Sequence, residues 1–432
     1  MQIIEVVILL LTFLVLLSLR VPIAYSIGLA AMTTLLVSIP SIPAFTTLAQ
    51  RIATGLDSFT LLAIPFFILA GQLMNQGGIA SRLIEFAKAL VGPLPGGLAF
   101  VNIVACILFG AISGSAAAAA SAIGGFMGPK MEEEGYDKAF GVAVNITSAS
   151  TGLIIPPSNV LIVYSLASGG ISIGALFLAG YIPGILVGLA LMIAAAFMAH
   201  KKKYPVGARV NLSDGVKKFF SAIPSLLLLF IVIGGIVAGI FTATEASAIA
   251  VLYTLLLSMI VYKEVKVKDL PKILLETVGT TSIVMLLIGT SIGMSWVMSY
   301  ESIPQNVSNL LLTISDSKIA ILLIINVILL LVGIFMDITP AVLIFTPVFL
   351  PVVQKIGIDP IHFGIIMVLN LCIGLCTPPV GSLLFVGCGV AKIKIQKVIR
   401  PLLPLFLAMI LILMLITYFP PLTMWLPKVF EF

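Results

Sequence analysis

Two stretches, GLIIPPSNVLI at 152–162 and GLCTPPVGSLL at 374–384, decide how this chain folds. Each sets adjacent prolines inside an apolar run long enough to be a membrane helix. Proline removes a backbone donor and clashes with the carbonyl one turn back, so Pro156–Pro157 and Pro378–Pro379 must each unwind a helix. The freed backbone groups cannot face lipid; protein or a watery cavity has to satisfy them. One such break means little. Two of them, each opened by glycine and closed by small polar residues, point to a device used twice. A second pair of segments keeps the same register: FGAISGSAAAAASAIGGFMGP (109–129) and VGIFMDITPAVLIFTPVFLPV (332–352). Gly110 and Gly333 lie 223 residues apart, and Gly152 and Gly374 lie 222 apart. The chain therefore reads as two internal repeats.

Composition sets the solvent. Of 432 residues, 60% are hydrophobic and 9% charged, with a mean hydropathy of +1.25. A soluble globular chain carries about 25% charged residues, so the solvent here is a bilayer. The net charge of +6 then reads as loop bias and excludes no membrane role, while giving no reason to expect nucleic-acid binding. Cys106, Cys372, Cys376 and Cys388 all lie in apolar runs, and His200 and His362 are far apart, so neither a disulfide framework nor a transition-metal site is expected. Glu5 precedes the first apolar run and Arg20 follows it, the wrong charge order for a cleaved signal peptide. The first run is read as a retained span.

Ten full spans are expected, at about 1–19, 22–40, 59–76, 140–166, 173–198, 222–240, 245–262, 276–298, 362–389 and 401–420. Two longer apolar stretches, 97–128 and 318–351, exceed one helix and are interrupted at their centres, so they read as re-entrant hairpins. The segments 41–58, 79–92 and 304–317 read as a polar turn and two amphipathic arms. With the N-terminus outside and each hairpin returning to its own side, the chain obeys the positive-inside rule. Of its 23 Lys and Arg residues, only Arg51, Lys318, Lys355 and Lys428 fall outside. The cytoplasmic groups are Arg20, Arg82 with Lys88, Lys130 with Lys138, Lys201–Lys203 with Arg209, Lys217 and Lys218, Lys263–Lys272, and Lys392–Arg400. Both termini lie outside, and the two hairpins open from opposite sides. The expected fold is thus an all-α polytopic membrane protein of two inverted repeats, with two re-entrant helical hairpins and two broken helices. Scaffold spans and the first arm occupy 1–96, and core half 1 occupies 97–166. Scaffold, linker and second arm follow at 167–317, then core half 2 at 318–389 and a C-terminal scaffold span at 390–432.

The breaks point to ion chemistry. Carbonyls ending the first half-helices, near Gly152 and Gly374, present partial negative charge to a cation. The second half-helices start at Ser158–Asn159 and Gly381–Ser382, where backbone donors and the positive dipole end suit a carboxylate. The hairpin tips supply the facing wall: Ser113, Gly114 and Ser115 in one half, Asp337, Ile338 and Thr339 in the other. A cage of hydroxyls and carbonyls suits Na+, whereas a transition metal wants His or Cys. Discontinuous helices meeting near the midplane are the expected arrangement of a secondary transporter. Ser115, Pro157, Asn159, Thr339, Gly381 and Ser382 are the candidate substrate contacts.

Several readings stay open on the sequence alone. Ala116–Ala120 serve either a site or close helix packing. Asp337 costs about 2.5–3.5 kcal/mol at bilayer depth, yet either ligation or capping of the second hairpin arm accounts for it. Thr377 either faces an ion or bonds back to its own helix. Asp57 and Glu245 read equally as helix caps, Glu132–Glu134 as a solvated face, and Arg82, Glu85 and Lys88 as an interfacial anchor.

The motifs GLDSFTLLAIPFFILAGQLM (55–74), GAISGSAAAAASAIG (110–124), GLIIPPSN (152–159), GIFTATEASAIAV (239–251), GIFMDITPAVLIFTPVFLPV (333–352) and GLCTPPVGSLLFV (374–386) resemble the large membrane subunit of tripartite ATP-independent periplasmic (TRAP) transporters. The resemblance covers essentially the whole chain. It implies an elevator-type transporter, like the ion transporter superfamily, importing an organic acid with Na+ across a bacterial inner membrane. Family substrates include four-carbon dicarboxylates, sialic acid and other sugar or keto acids. The implied partners are a separate small four-span membrane subunit and a periplasmic substrate-binding protein; no cofactor beyond Na+ and no enzymatic activity is implied. Carried over by motif, one Na+ site falls at Ser113, Gly114 and Ser115 with Gly152, Ser158 and Asn159. The other falls at Gly333, Asp337 and Thr339 with Gly374 and Thr377. The five alanines after Ser115 depart from relatives that keep extra Ser or Thr there. The rival classes are a stand-alone Na+/dicarboxylate symporter, an ion channel and a proton-pumping subunit. A channel needs a continuous polar pore and a pump needs ionisable residues within its spans; the chain offers isolated polar breaks and basic residues in loops.

Overall fold

A computed structural model describes residues 2–94, 96–205, 212–315 and 317–432; Arg209 of the linker cluster falls outside them. Every regular element among these residues is helical. The chain opens with α1 (Gln2–Ser18), α2 (Ile23–Ser38), α3 (Ser41–Leu56), α4 (Ala63–Gln76) and the arm α5 (Ile79–Val91). A hairpin follows, α6 (Gly97–Ser113) and α7 (Ala116–Glu133), then a broken helix, α8 (Lys138–Thr151) and α9 (Asn159–Ala167), and the long α10 (Ile173–Lys202). The order then recurs. Helices α11 (Leu212–Val237), α12 (Ala243–Leu256) and α13 (Leu270–Tyr300) lead to the arm α14 (Ile303–Ile314). The hairpin α15 (Lys318–Phe335) and α16 (Ile338–Lys355) precedes the broken helix α17 (Pro360–Gly374) and α18 (Ser382–Val390), then α19 (Ile395–Tyr418) and α20 (Pro421–Val429). Among the described residues, eight helical segments are long and apolar enough to cross a membrane.

Two elements depart from the sequence reading. The stretch read as a polar turn is the helix α3, which buries little beyond Ala44 and Leu48 against α13. Its polarity hid it, because a helix lying on a scaffold needs only a narrow apolar stripe. Helix α20 was masked by Pro420, Pro421 and Pro427; proline is well tolerated in a first turn, where its missing N–H has no partner to lose.

Short polar residues set where the helices restart. Ser115 Oγ accepts from Ala118 N at 3.2 Å, Ser158 Oγ from Leu161 N at 3.4 Å and Asp337 Oδ1 from Ile338 N at 2.8 Å. Each satisfies one orphan donor of a helix N-terminus. Both Pro-Pro bonds are cis. The first break, 151–158, is fully buried. Helix α10 nests it with glycines four residues apart: a Cβ on Gly180 would lie 2.3 Å from the Ile154 carbonyl oxygen, and one on Gly184 2.2 Å from Ile155 Cγ1. Small residues at this spacing let helix backbones approach.

Each hairpin meets its broken helix glycine on glycine. A Cβ on Gly152 would stand 2.6 Å from Gly110 Cα, and one on Gly374 2.5 Å from Gly333 Cα. The halves are also exchanged at their centres: α9 packs on α16 and α17, while α18 packs on α7 and α8. Tyr164 OH in α9 donates to Pro360 O at 2.6 Å, tying the first half to the second. The outer helices cross in the same way, α2 on α13 and α12 on α4. The arm α5 is pinned by ion pairs, Lys218 to Glu85 at 2.7 Å and Arg82 to Glu264 at 3.8 Å, with Arg82 over the Tyr262 ring. Burial pushes the Glu85 carboxyl up, but its hydrogen bond to Lys218 together with the charges of Lys218, Lys130 and Lys88 outweighs this and leaves it below the usual range.

Because the two glycine contacts leave no room for a methyl group, Gly152→Ala and Gly374→Ala should each destabilise the fold by about 1–3 kcal/mol. Gly279→Ala, which meets nothing within 4 Å, should not. Thermal unfolding of the detergent-purified protein distinguishes them; equal melting temperatures would refute the close-packing account.

Candidate functional site

A cavity of about 300 Å³ lies where both hairpin tips and both breaks converge. Its wall contains the first two residues of four helices: Ala116 and Ala117 of α7, Asn159 and Val160 of α9, Ile338 and Thr339 of α16, Ser382 and Leu383 of α18. Four helix N-termini therefore open on one space. Each carries the equivalent of roughly half a positive charge and unsatisfied N–H groups, so together they form an anion-binding surface.

Of the residues singled out in the sequence, Gly114, Ser115, Asn159, Asp337, Thr339 and Ser382 line this cavity. Gly114 turns the first tip at φ +61°, close enough to Asn159 that a Cβ would stand 2.8 Å from Asn159 Nδ2. Asn159 Oδ1 is buried with no hydrogen-bond partner. A buried amide oxygen left in that condition is costly unless something comes to it, and a cation is the natural complement to a lone acceptor. Asp337 caps α16 through Oδ1, one of the two roles the sequence left open, and it lines the cavity.

The other candidates lie behind the wall. Ser158 is buried, and its hydroxyl donates to Leu153 O at 2.5 Å. The Thr377 hydroxyl bonds back to Ile373 O at 2.8 Å, and Ser113 Oγ sits 3.4 Å from the backbone of Ser115. Gly152, Gly333 and Gly374 make the glycine contacts described above. Gly381 lets the chain turn tightly into α18, where a Cβ would lie 2.4 Å from Leu375 O. Pro157 does not line the cavity; it borders a small apolar gap with Phe67, Ala70, Ile112, Leu228 and Val232.

Sequence reasoning missed the opposite wall. Ile64 and Ile68 of α4, with Thr280 and Val284 of α13, close the cavity. Both pairs sit one helical turn apart, a spacing that a lipid-facing stripe shares, so no sequence signal separates them from ordinary span residues.

The fold is that of a membrane transporter. It resembles the crystal structure of the Alcanivorax borkumensis YdaH transporter with a TM-score of 0.60 at 14% identity, covering 86% of this chain and 87% of that one. Residues 10–422 match the family described as "Tripartite ATP-independent periplasmic transporter, DctM component". The chain is 58% identical to YgiK of Salmonella typhimurium, over 97% of this chain and 96% of that protein. It is 40% identical to the C4-dicarboxylate TRAP transporter large permease protein DctM of Pseudomonas aeruginosa (93% and 94% covered). Identity to the sialic acid TRAP transporter large permease protein SiaM of Vibrio cholerae is 41% (88% and 89% covered). The chain belongs to the TRAP transporter family, as its large membrane permease subunit.

Gly114→Ala combines a left-handed backbone with a clash against Asn159, at a site rather than in the packed interior. It should lower transport by the assembled protein about tenfold or more, with membrane insertion intact. Transport at the wild-type rate would show that the tip does not need this turn.

Proposed function

We propose that this chain is the transport subunit of a Na+-coupled importer that carries a small organic acid across a bacterial inner membrane. The observation that carries the reading is the convergence of four helix N-termini on one cavity whose single ionisable side chain is Asp337. The helix ends favour a carboxylate, while Asp337, the partnerless Asn159 oxygen and the tip carbonyls favour cations. The residues present thus fit Na+ and acid as joint cargo. With Na+ bound, the Asp337 charge is neutralised and the acid meets only positive ends. Without it, Asp337 repels the acid.

The movement we infer is an elevator. Two inverted repeats, oriented as the Lys and Arg distribution requires, place both termini in the periplasm and open the hairpins from opposite sides. The paired contacts support this, since each hairpin-to-break contact and each crossing of the halves has its counterpart. The sliding core comprises the hairpins and broken helices. We assign α10 and α19 to it as well, because they pack on α8 and α17. The remaining helices and the arms α5 and α14 form the scaffold. The driving force is the Na+ gradient together with the membrane potential, worth about 2.3 kcal/mol per charge per 100 mV. A separate small membrane subunit and a periplasmic substrate-binding protein complete the transporter, and the acid is of the kind its relatives' names indicate, such as a dicarboxylate or sialic acid.

Reconstitution with the small subunit and the binding protein tests this directly. Asp337→Asn keeps an oxygen for the α16 cap but removes the charge, so half-maximal uptake should need about tenfold more Na+. Ser115→Ala should shift the Na+ dependence in the same direction. Uptake independent of Na+, or unchanged Na+ dependence in both variants, excludes the coupling mechanism. Full-rate uptake without the binding protein would instead favour a stand-alone symporter.

A further inference from the structure

A second cavity, of about 200 Å³, lies apart from the central one, between α6, α7, α8 and the end of α18. In the proposed topology it opens to the cytoplasm. We propose that it binds a small hydroxy acid, whose carboxylate meets Lys392 and whose hydroxyl meets Asn102. Asn102 and Asn145 both line it. Asn102 is 1% exposed, yet among the described residues its side chain has only sulphur partners: Cys106 Sγ lies 3.3 Å from Oδ1, and Met131 Sδ 3.9 Å from Nδ2. The Cys106 thiol also faces Asn145 Oδ1 at 3.3 Å, and its one proton serves only one of the two amides at a time. The second half of the chain shows the alternative. There Asn326, at the matching place in α15, accepts from Asn370 Nδ2 at 2.7 Å and donates to Thr417 Oγ1 at 3.1 Å. Asn102 has no oxygen partner of that kind, and a buried amide in that condition is costly until one arrives.

The charges around this cavity select an acid. Glu132 pairs with Lys138 at 3.0 Å, and Asp137 pairs with Lys202 at 3.7 Å. Lys392 lines the cavity with no ion pair and no side-chain hydrogen bond among the described residues. One uncommitted cation matches one carboxylate, in a charge-assisted bond. A phosphate dianion exceeds what it can neutralise. Gly124, Gly125, Gly128, Gly141 and Gly387 keep the walls free of side chains. A Cβ on Gly128 would meet nothing within 4 Å, so there is room for a ligand beside it. A hydroxyl both donates and accepts, as the Asn102 amide does, and it supplies there what Thr417 supplies in the other half.

Direct binding tests the site. The full chain, purified with its small partner, is titrated with lactate, propionate and inorganic phosphate as potassium salts, so that a Na+-coupled central site stays empty, and its melting temperature is followed. We expect lactate to stabilise it at concentrations at least about tenfold below those of phosphate and of propionate, which lacks the hydroxyl. Lys392→Asn removes the cation and tolerates the left-handed backbone at φ +50°, so it should weaken the lactate effect about tenfold. Gly128→Leu fills the cavity and should abolish the effect. Each variant is compared with its own melting curve without ligand, so a change in basal stability does not confuse the reading. Propionate or phosphate matching lactate overturns the assignment of the ligand. A lactate effect of full size in both variants overturns the assignment of the site. Stabilisation by lactate in NaCl alone belongs to the central cavity, and it overturns this proposal while leaving Na+ coupling intact.

Discussion

In hydrocarbon every backbone N–H and C=O needs a partner, and each one left without costs several kcal/mol. This chain interrupts its helices at four places, two hairpin tips and two breaks, so its architecture depends on how those interruptions are satisfied. Side chains do part of the work: Ser158 bonds to the Leu153 carbonyl, Thr377 to the Ile373 carbonyl, and Ser115 and Asp337 cap the helices that restart beside them. Exclusion does the rest. Glycine-on-glycine contacts at 110 with 152, and at 333 with 374, bring backbone against backbone and leave no room for lipid. Asn159 Oδ1, which has no hydrogen-bond partner, and the starts of four helices border one cavity.

The two halves solve this problem unequally. Around the first break α10 supplies Gly180 and Gly184, and α4, α11 and α12 cover Pro157, so residues 151–158 are buried. The second break keeps Val380 40% exposed, and Phe385 in α18 just after it is 51% exposed. The helix that corresponds by order to α11 is α1, which packs chiefly on α2. The backbone of the second break is satisfied in part by its own tight turn, where Gly381 N bonds to Thr377 O at 3.1 Å and Leu383 N to Leu375 O at 3.2 Å.

How much of this was legible in the sequence follows from the kind of constraint involved. Proline and glycine act locally, so the breaks, the tips and the hairpins could be read from residue identity alone. Asp337, Ser115 and Asn159 could be placed because polar groups at bilayer depth have few alternatives. Ser158 and Thr377 were harder, since a hydroxyl next to a break serves equally to bond its own helix, and in the structure both do so. The scaffold wall was not legible at all. Ile64, Ile68 and Val284 are distinguished from lipid-facing residues only by tertiary position, and α3 and α20 failed the apolar-run criterion for want of a continuous hydrophobic stretch. Local rules reveal where the chain must bend; only packing reveals what stands opposite.

The choice of helix ends over a basic side chain bears on transport itself. An arginine in the cavity would bind a carboxylate tightly with or without a coupling ion, and its full charge would have to move with the core on the empty return. Helix N-termini offer partial charges fixed to the backbone, strong enough to favour an anion and weak enough to release it. In the proposed reading, adding one carboxylate, Asp337, to those ends makes the empty site unfavourable for an acid until cations arrive. In the proposed cycle, then, coupling needs no separate gate. In that cycle the Asp337 that restarts α16 would also set the order in which Na+ and acid enter, because it caps the helix and lines the cavity at once.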